Sequence, residues 1–309
     1  MIASGAATTA ATADANRSQP ARLPLLRRMR PLLGTWVELR IEGIDLRRAG
    51  QAIERAFAEV AAIHRLMSFH ETGSELSRLH RARAGELVAV DARTRTVLEC
   101  ALRVAEISAG RFDPTVAAQQ VAWGLLPRPS AAGPAQPDAD WRDIELVGAR
   151  HVRLARPLWI DLGGIAKGYA VDRALEILAD AGATQVCVNA GGDLRVAGMR
   201  VEAVHLRTHT GIEASPALEL ADAALATSAG TVDSGGAQAS AAHVHGCTRR
   251  AVGAGRVVGV VAARCMVADA LTKVVIAGAD ELASHVLGHF NAQACVLDAG
   301  HWSLLGAAA

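Results

Sequence analysis

The stretch Asp161-Leu162-Gly163-Gly164-Ile165-Ala166-Lys167-Gly168-Tyr169-Ala170-Val171-Asp172 decides how the chain is read. Its pattern predicts a strand ending at Ile160, a glycine bend, and a helix opening near Lys167 that runs through Ala174, Ile177 and Leu178 to Gly182. Glycines at such a junction let backbone N–H groups approach a ligand, and a helix N-terminus attracts anions such as phosphate. Lys167 can bring its charge to the same phosphate, while Asp161 can bind a sugar, a ring edge or a metal. An ordinary tight turn with a solvated lysine accounts for these residues equally well. Both GxxxxGK[ST] and GxGxxG are absent, so neither a P-loop nor a dinucleotide fingerprint is present.

Working outward, Gln185 to Ala190 reads as a buried strand that stops at Gly191-Gly192, and Asn189 to Asp193 as a turn closed by an Asx side chain. A strand over Arg256 to Ala262 leads into a helix starting near Asp269, and Cys295 to Leu297 reads as a last core strand. Upstream, Val37 to Ile41 alternates apolar with charged residues, the period of a half-buried strand. The helix of Arg48 to Met67 carries Ile53, Phe57, Val60 and Ile63 at three- and four-residue steps; Thr94 to Ser108 repeats the pattern, with Gly110 as its cap. Pro127 to Pro137 is a loop, and Ser228 to Gly255, rich in Gly, Ala and Ser, shows no periodicity. Strands and helices mix without regular βαβ alternation, which predicts an α+β fold of mixed sheets and packed helices. Residues 1–30 read as a disordered tail, and 31–309 as one domain of two intimately packed subregions.

Net charge is +1, from 32 Lys plus Arg against 31 Asp plus Glu, which argues against a nucleic-acid binder. Hydrophobic residues make up 51% but aromatic ones only 3%, so the core is built from Ala, Val, Leu and Ile. No apolar run is long enough to span a membrane, and the N-terminus has no apolar signal region, so the expected location is cytoplasmic. The five cysteines are scattered and unpaired in sequence, as in a reducing compartment.

Further candidates are less specific alone. Phe112-Asp113-Pro114-Thr115 follows a helix cap and either faces a ligand or starts a turn. Asp269 is either a helix N-cap or, with Thr272 one turn on, a hard-cation site presenting oxygens. His243 or His245 can act as a general acid or touch a ligand; His205 and His209 lie in a strand-like stretch that separates them, and no zinc spacing accompanies either pair.

In order along the chain stand Leu33-Gly34-Thr35; Met67-Ser68-Phe69-His70 with Ser74 to Leu79; Gly110 to Val116 with Trp123-Gly124; Asp161 to Asp172; Val188 to Asp193; Ala226-Thr227-Ser228; and Ala268 to Thr272. Together these resemble the ApbE-type flavin transferases, the FAD:protein FMN transferases, from about Pro31 to the C-terminus. The resemblance implies a T-fold-like architecture with a central ligand cleft. It also implies Mg²⁺-assisted cleavage of the FAD pyrophosphate, transfer of FMN to a Thr or Ser hydroxyl of an acceptor protein, and release of AMP. It assigns Asp161, Lys167 and Leu33 to FAD contact, Phe112, Asp113 and Pro114 to the flavin pocket, and His70 (or Phe69) to stacking on the flavin. It gives Mg²⁺ to the Gly164 carbonyl, Asp269 and Thr272, and catalysis to His243 and Asp269.

The sequence departs from the pattern at Leu33, where the family has Met, and at His70, where it has Tyr. Lys273 stands where many members carry a hydroxyl, and His243-Val244-His245-Gly246-Cys247-Thr248-Arg249 lacks the family's Asp-Pro. Those departures leave two other readings, an FAD-binding protein without transfer and an FAD pyrophosphatase that hands FMN to water.

Overall fold

The computed structural model describes residues 25–206, 217–230, 243–252 and 255–306. It opens with the hairpin β1 (Leu26–Leu32) and β2 (Thr35–Glu42), whose alternation buries Val37, Leu39 and Ile41. β1 begins inside the stretch read as a tail. The amphipathic helix α1 (Leu46–Met67) follows, then α2 (Glu75–Arg81), β3 (Leu87–Ala89), α3 (Ala92–Ile107), α4 (Ala117–Ala122), β4 (Ile144–Val147) and β5 (His151–Leu154). The second half contributes α5 (Ala166–Asp180), β6 (Gln185–Ala190), β7 (Asp193–Gly198), the pair β8 (Glu202–His205) and β9 (Ala217–Leu220), and β10 (Ala224–Ala229). Last come β11 (His243–Val244), β12 (Ala251–Val252), β13 (Val257–Ala262), α6 (Cys265–Ala277), α7 (Glu281–His289), β14 (Gln293–Asp298) and β15 (His301–Leu305).

Eight strands form one sheet in the order β1-β2-β6-β7-β10-β13-β14-β15, antiparallel at every step. An antiparallel sheet with its helices as separate layers is the α+β arrangement expected. Helices α1, α5 and α6 pack side by side, with α5 on β6 and β7 and α6 on β10 and β13. On the opposite face Leu194, Val196, Leu225 and Cys295 form a smaller apolar cluster with Leu220, Val204 and Leu218 of the β8–β9 pair.

α6 is buried nearly all round, from Cys265 and Met266 to Val274, Val275 and Ile276. A helix enclosed on every side lacks a polar face, so its few polar side chains must find partners within the protein. Thr272 and Lys273 find theirs in Ser228 of β10, and Asp269 finds its partner on α5, which is capped in exchange. Asp172 accepts the N–H groups of Cys265 (2.9 Å) and Met266 (3.0 Å), capping α6 where its own N-cap residue, Arg264, makes no side-chain bond. Asp269 returns the service by accepting Gly168 N–H at 3.1 Å in the first turn of α5, whose N-cap Ile165 also makes none. The helices touch at Gly168: a Cβ there would lie 2.3 Å from the Cys265 carbonyl oxygen.

Several boundaries differ from expectation. α6 starts at Cys265, so Asp269 caps α5 and not its own helix. Residues 155–165 contain no strand; Ile160 is held instead by His80, whose Nε2 lies 2.9 Å from Ile160 N, and Asp161 N–H donates to the Pro114 carbonyl at 2.8 Å. The aperiodic stretch after Ser228 contains the two-residue pair β11–β12, too short to leave a period. His205 ends β8, while His209 lies outside the described residues.

Candidate active site

The glycine bend sits where two hollows meet. The larger, about 440 Å³, is walled by Phe112, Asp113, Gln120, Ser228, His243 and Lys273. The smaller, about 240 Å³, is walled by Leu33, Ile63, Met67, Phe69, His70 and Leu126. Asp161, Gly163 and Lys167 belong to both, so the bend is the sill between them. Phe112 with Asp113, and His70, are expected around one flavin; the fold puts them in different hollows, His70 in the one that Leu33 also lines. Pro114 is buried, and its contribution is the carbonyl that holds Asp161 N–H.

Asp161 bends back to accept Gly163 N–H at 2.9 Å, which fixes the turn. Burial pushes its carboxyl above the usual carboxylate range, against the stabilising pull of that N–H. Lys167 pairs with buried Asp193 at the start of β7. Burial works against its charge, yet Asp269 and Asp193 together hold the ammonium above its ordinary range. Asp193 also accepts Thr227 N–H at 3.1 Å, while Asn189 Oδ1 accepts Gly192 N–H at 3.0 Å, the Asx turn read from sequence. Burial, then the Asp269 charge, push the Asp193 carboxyl up.

Asp269 and Thr272 come together as expected, but neither lines a hollow: they are 1% and 0% exposed and stand behind Lys273. Lys273 Nζ donates to Thr272 Oγ1 (2.8 Å), Ser228 Oγ (2.9 Å) and Asp269 Oδ1 (3.1 Å). Burial alone would raise the Asp269 carboxyl, but the Lys273 and Lys167 ammonium groups outweigh it and hold the carboxyl low. Mg²⁺ demands near-octahedral oxygens and keeps several waters. With an ammonium already seated among Gly164, Asp269 and Thr272, the expected donor set does not fit that ion. Among the described residues no cluster of three His, Cys, Asp or Glu offers a metal site elsewhere.

His243 reaches the larger hollow, whereas His245 turns away, its Nδ1 accepting Cys247 N–H (3.2 Å) and Thr248 N–H (3.3 Å). Burial, reinforced by the Lys273 charge, lowers His243 to about 4, so its imidazole is neutral at pH 7 and can accept a proton. The segment bearing it is pinned to the Phe112 loop. Gly246 N–H donates to the Arg111 carbonyl at 3.0 Å, and Arg249 Nη2 donates to Asp113 Oδ2 at 2.8 Å and Thr115 Oγ1 at 3.1 Å. Arg249, the pairing of Ser228 with Lys273, and His80 beneath Ile160 belong to no motif in the sequence. Their partners lie 136, 45 and 80 residues away along the chain, so no local window of sequence carries a signal.

Glycines, cations and a neutral imidazole around a two-chambered cleft suit a ligand with a ring system at each end and a charged centre. A family model described as the ApbE family matches residues 33–296. The chain belongs to the ApbE family. A Vibrio cholerae protein named FAD:protein FMN transferase is 30% identical over 195 residues, 57% of this chain and 56% of that one. A Treponema pallidum protein of the same name is 30% identical over 162 residues, 48% and 45% of the two chains. This chain therefore aligns with about half the length of the curated relatives it matches. The fold likeness is broader. The solved flavin transferase ApbE of Vibrio cholerae superposes with a TM-score of 0.74 at 23% identity, over 91% of this chain and 97% of the other. The ApbE protein of Thermotoga maritima gives 0.74 at 25% identity, over 91% and 96%. Like those folds, this ApbE-family chain is a mixed α+β structure. Among its described residues no helix is long and apolar enough to cross a membrane.

Proposed function

We propose that this chain is an FAD:protein FMN transferase, which moves FMN from FAD to a Thr or Ser hydroxyl of an acceptor protein and releases AMP. The observation that carries the reading is the shared sill: Asp161, Gly163 and Lys167 join two hollows, each able to hold one ring system, with Lys273 on the wall of the larger. A diphosphate placed there meets the positive end of α5 and the Lys273 ammonium.

In the reaction the acceptor hydroxyl oxygen forms a bond to the phosphorus of the FMN half. The P–O bond to the AMP half breaks, and AMP leaves with its electron pair. Neutral His243 takes the hydroxyl proton. A bound diphosphate adds negative charge beside that imidazole and raises its basicity. Asp161 orients the bend, and Phe112 and His70 offer ring faces on the two sides. Mg²⁺, which the family pattern supplies, enters no step here.

The test is to incubate the purified full chain with FAD and candidate acceptor proteins, then measure AMP and covalently bound flavin. The reading expects both in equal amounts. AMP with free FMN alone identifies a pyrophosphatase, and bound FAD without AMP identifies a carrier; either result overturns transfer.

A further inference from the structure

The Lys273 ammonium bonds two of the three residues that the family pattern assigns to a metal, Asp269 and Thr272, and its stem lies against the third, Gly164. Three side-chain oxygens, Asp269 Oδ1, Thr272 Oγ1 and Ser228 Oγ, lie within hydrogen-bond distance of Nζ, with the Asp269 carbonyl farther off at 3.4 Å. The stem lies against Gly164: a Cβ there would come within 3.2 Å of Lys273 Cε and 3.3 Å of Cγ. Further bonds already engage Asp269, Thr272 and Ser228. Asp269 Oδ2 accepts Gly168 N–H at 3.1 Å, Thr272 Oγ1 donates to the Asp269 carbonyl at 2.7 Å, and Ser228 Oγ lies 2.8 Å from Thr272 Oγ1. An ion placed here would have to displace Nζ and would then face the displaced charge, tethered four residues from its chief ligand.

We propose that Lys273 is itself the catalytic cation of this site, its ammonium taking the place of the divalent ion beside the diphosphate. The inference rests on the transferase reading. Three acceptors fix Nζ in the cavity wall, so its charge is oriented before the ligand arrives, which is how a fixed charge favours a transition state. As the P–O bond to AMP breaks, negative charge grows on the departing phosphate and Lys273 offsets it. Every atom of the transfer is supplied by FAD, the acceptor hydroxyl and the proton acceptor His243, so no metal is needed as a reactant. Gly164 serves the same end by leaving room for the lysine stem.

The experiment has two readouts. First, AMP release from FAD is measured on the full chain in EDTA and in millimolar Mg²⁺, with acceptor present. The two rates should agree within about threefold. A rate present in Mg²⁺ but about 100-fold lower in EDTA overturns the role of Lys273 and leaves the transferase reading standing. Second, Mn²⁺ binding to the FAD-free chain is followed by electron paramagnetic resonance, which needs no turnover. The ion should stay free of this site up to about 1 mM with the native chain and become bound in Lys273→Thr. Binding by the native chain that Asp269→Asn abolishes overturns the inference. If no AMP forms under either condition the transferase reading fails, and the native-chain Mn²⁺ titration still decides what sits among these donors.

Discussion

The Asp269 carboxylate accepts the Gly168 backbone N–H at 3.1 Å, so an acid in the second turn of α6 caps the first turn of α5. Asp172 does the converse from α5, and the two helices cross where Gly168 has no side chain. This reciprocal capping sets the position of the glycine bend and of Lys273, and hence of the whole sill.

Gly168→Ala places a methyl 2.3 Å from the Cys265 carbonyl oxygen, which is backbone and cannot rotate aside. The helices must separate, at a cost of about 1–3 kcal/mol or more. Thermal unfolding should show the loss, together with weaker FAD binding. An unchanged melting temperature would contradict the close crossing.

Asp172→Ala removes the α6 cap and leaves Arg195, 3.0 Å from the lost carboxylate, without its buried partner. Breaking one half of such a pair costs about 3–5 kcal/mol. Denaturant unfolding should report a change of that order; a loss well under 1 kcal/mol would show that α6 does not depend on the cap.

His80 links stability to pH. Burial lowers it from the ordinary 6.5 to about 4, and its Nε2 lies against Ile160 just before the bend. Between those values the unfolded chain binds the proton and the folded chain does not, so stability rises with pH through the window and is lost on acidification. The contribution is up to about 3 kcal/mol, present in full above pH 6.5 and gone below pH 4. His243, lowered in the same way to about 4, acts in the same direction and the same window. His80→Gln should flatten part of the acid-side decline in chemical denaturation; an identical slope in the variant would discharge His80 from this role.

His243→Gln keeps a polar side chain in the larger hollow but cannot take up a proton. Transfer should fall by about 10²–10⁴-fold with little change in FAD affinity. Full activity in the variant would remove the imidazole from the proton transfer.

Much of this was legible in sequence where the period was local. β6 coincides with the predicted buried strand at Gln185–Ala190, and α1, α3 and β13 lie within two residues of expectation, because their apolar spacing is a property of a few adjacent turns. The start of α6 was misplaced for a physical reason: a helix buried on all sides carries no amphipathic signal, and its cap comes from residue 172 on another element. The same holds for the site. The bend at Gly163-Gly164 announces itself, whereas the seating of Lys273 on Ser228 depends on α6 packing against β10, a relationship no window of sequence contains.

An experimental structure of the full chain with FAD bound would locate the diphosphate relative to the glycine bend and Lys273. The diphosphate should lie over Gly163-Gly164 with an oxygen in hydrogen-bond reach of Lys273 Nζ, and one ring system should fill each hollow. A dinucleotide seated elsewhere, or a diphosphate kept from Lys273 by intervening side chains, would contradict this placement.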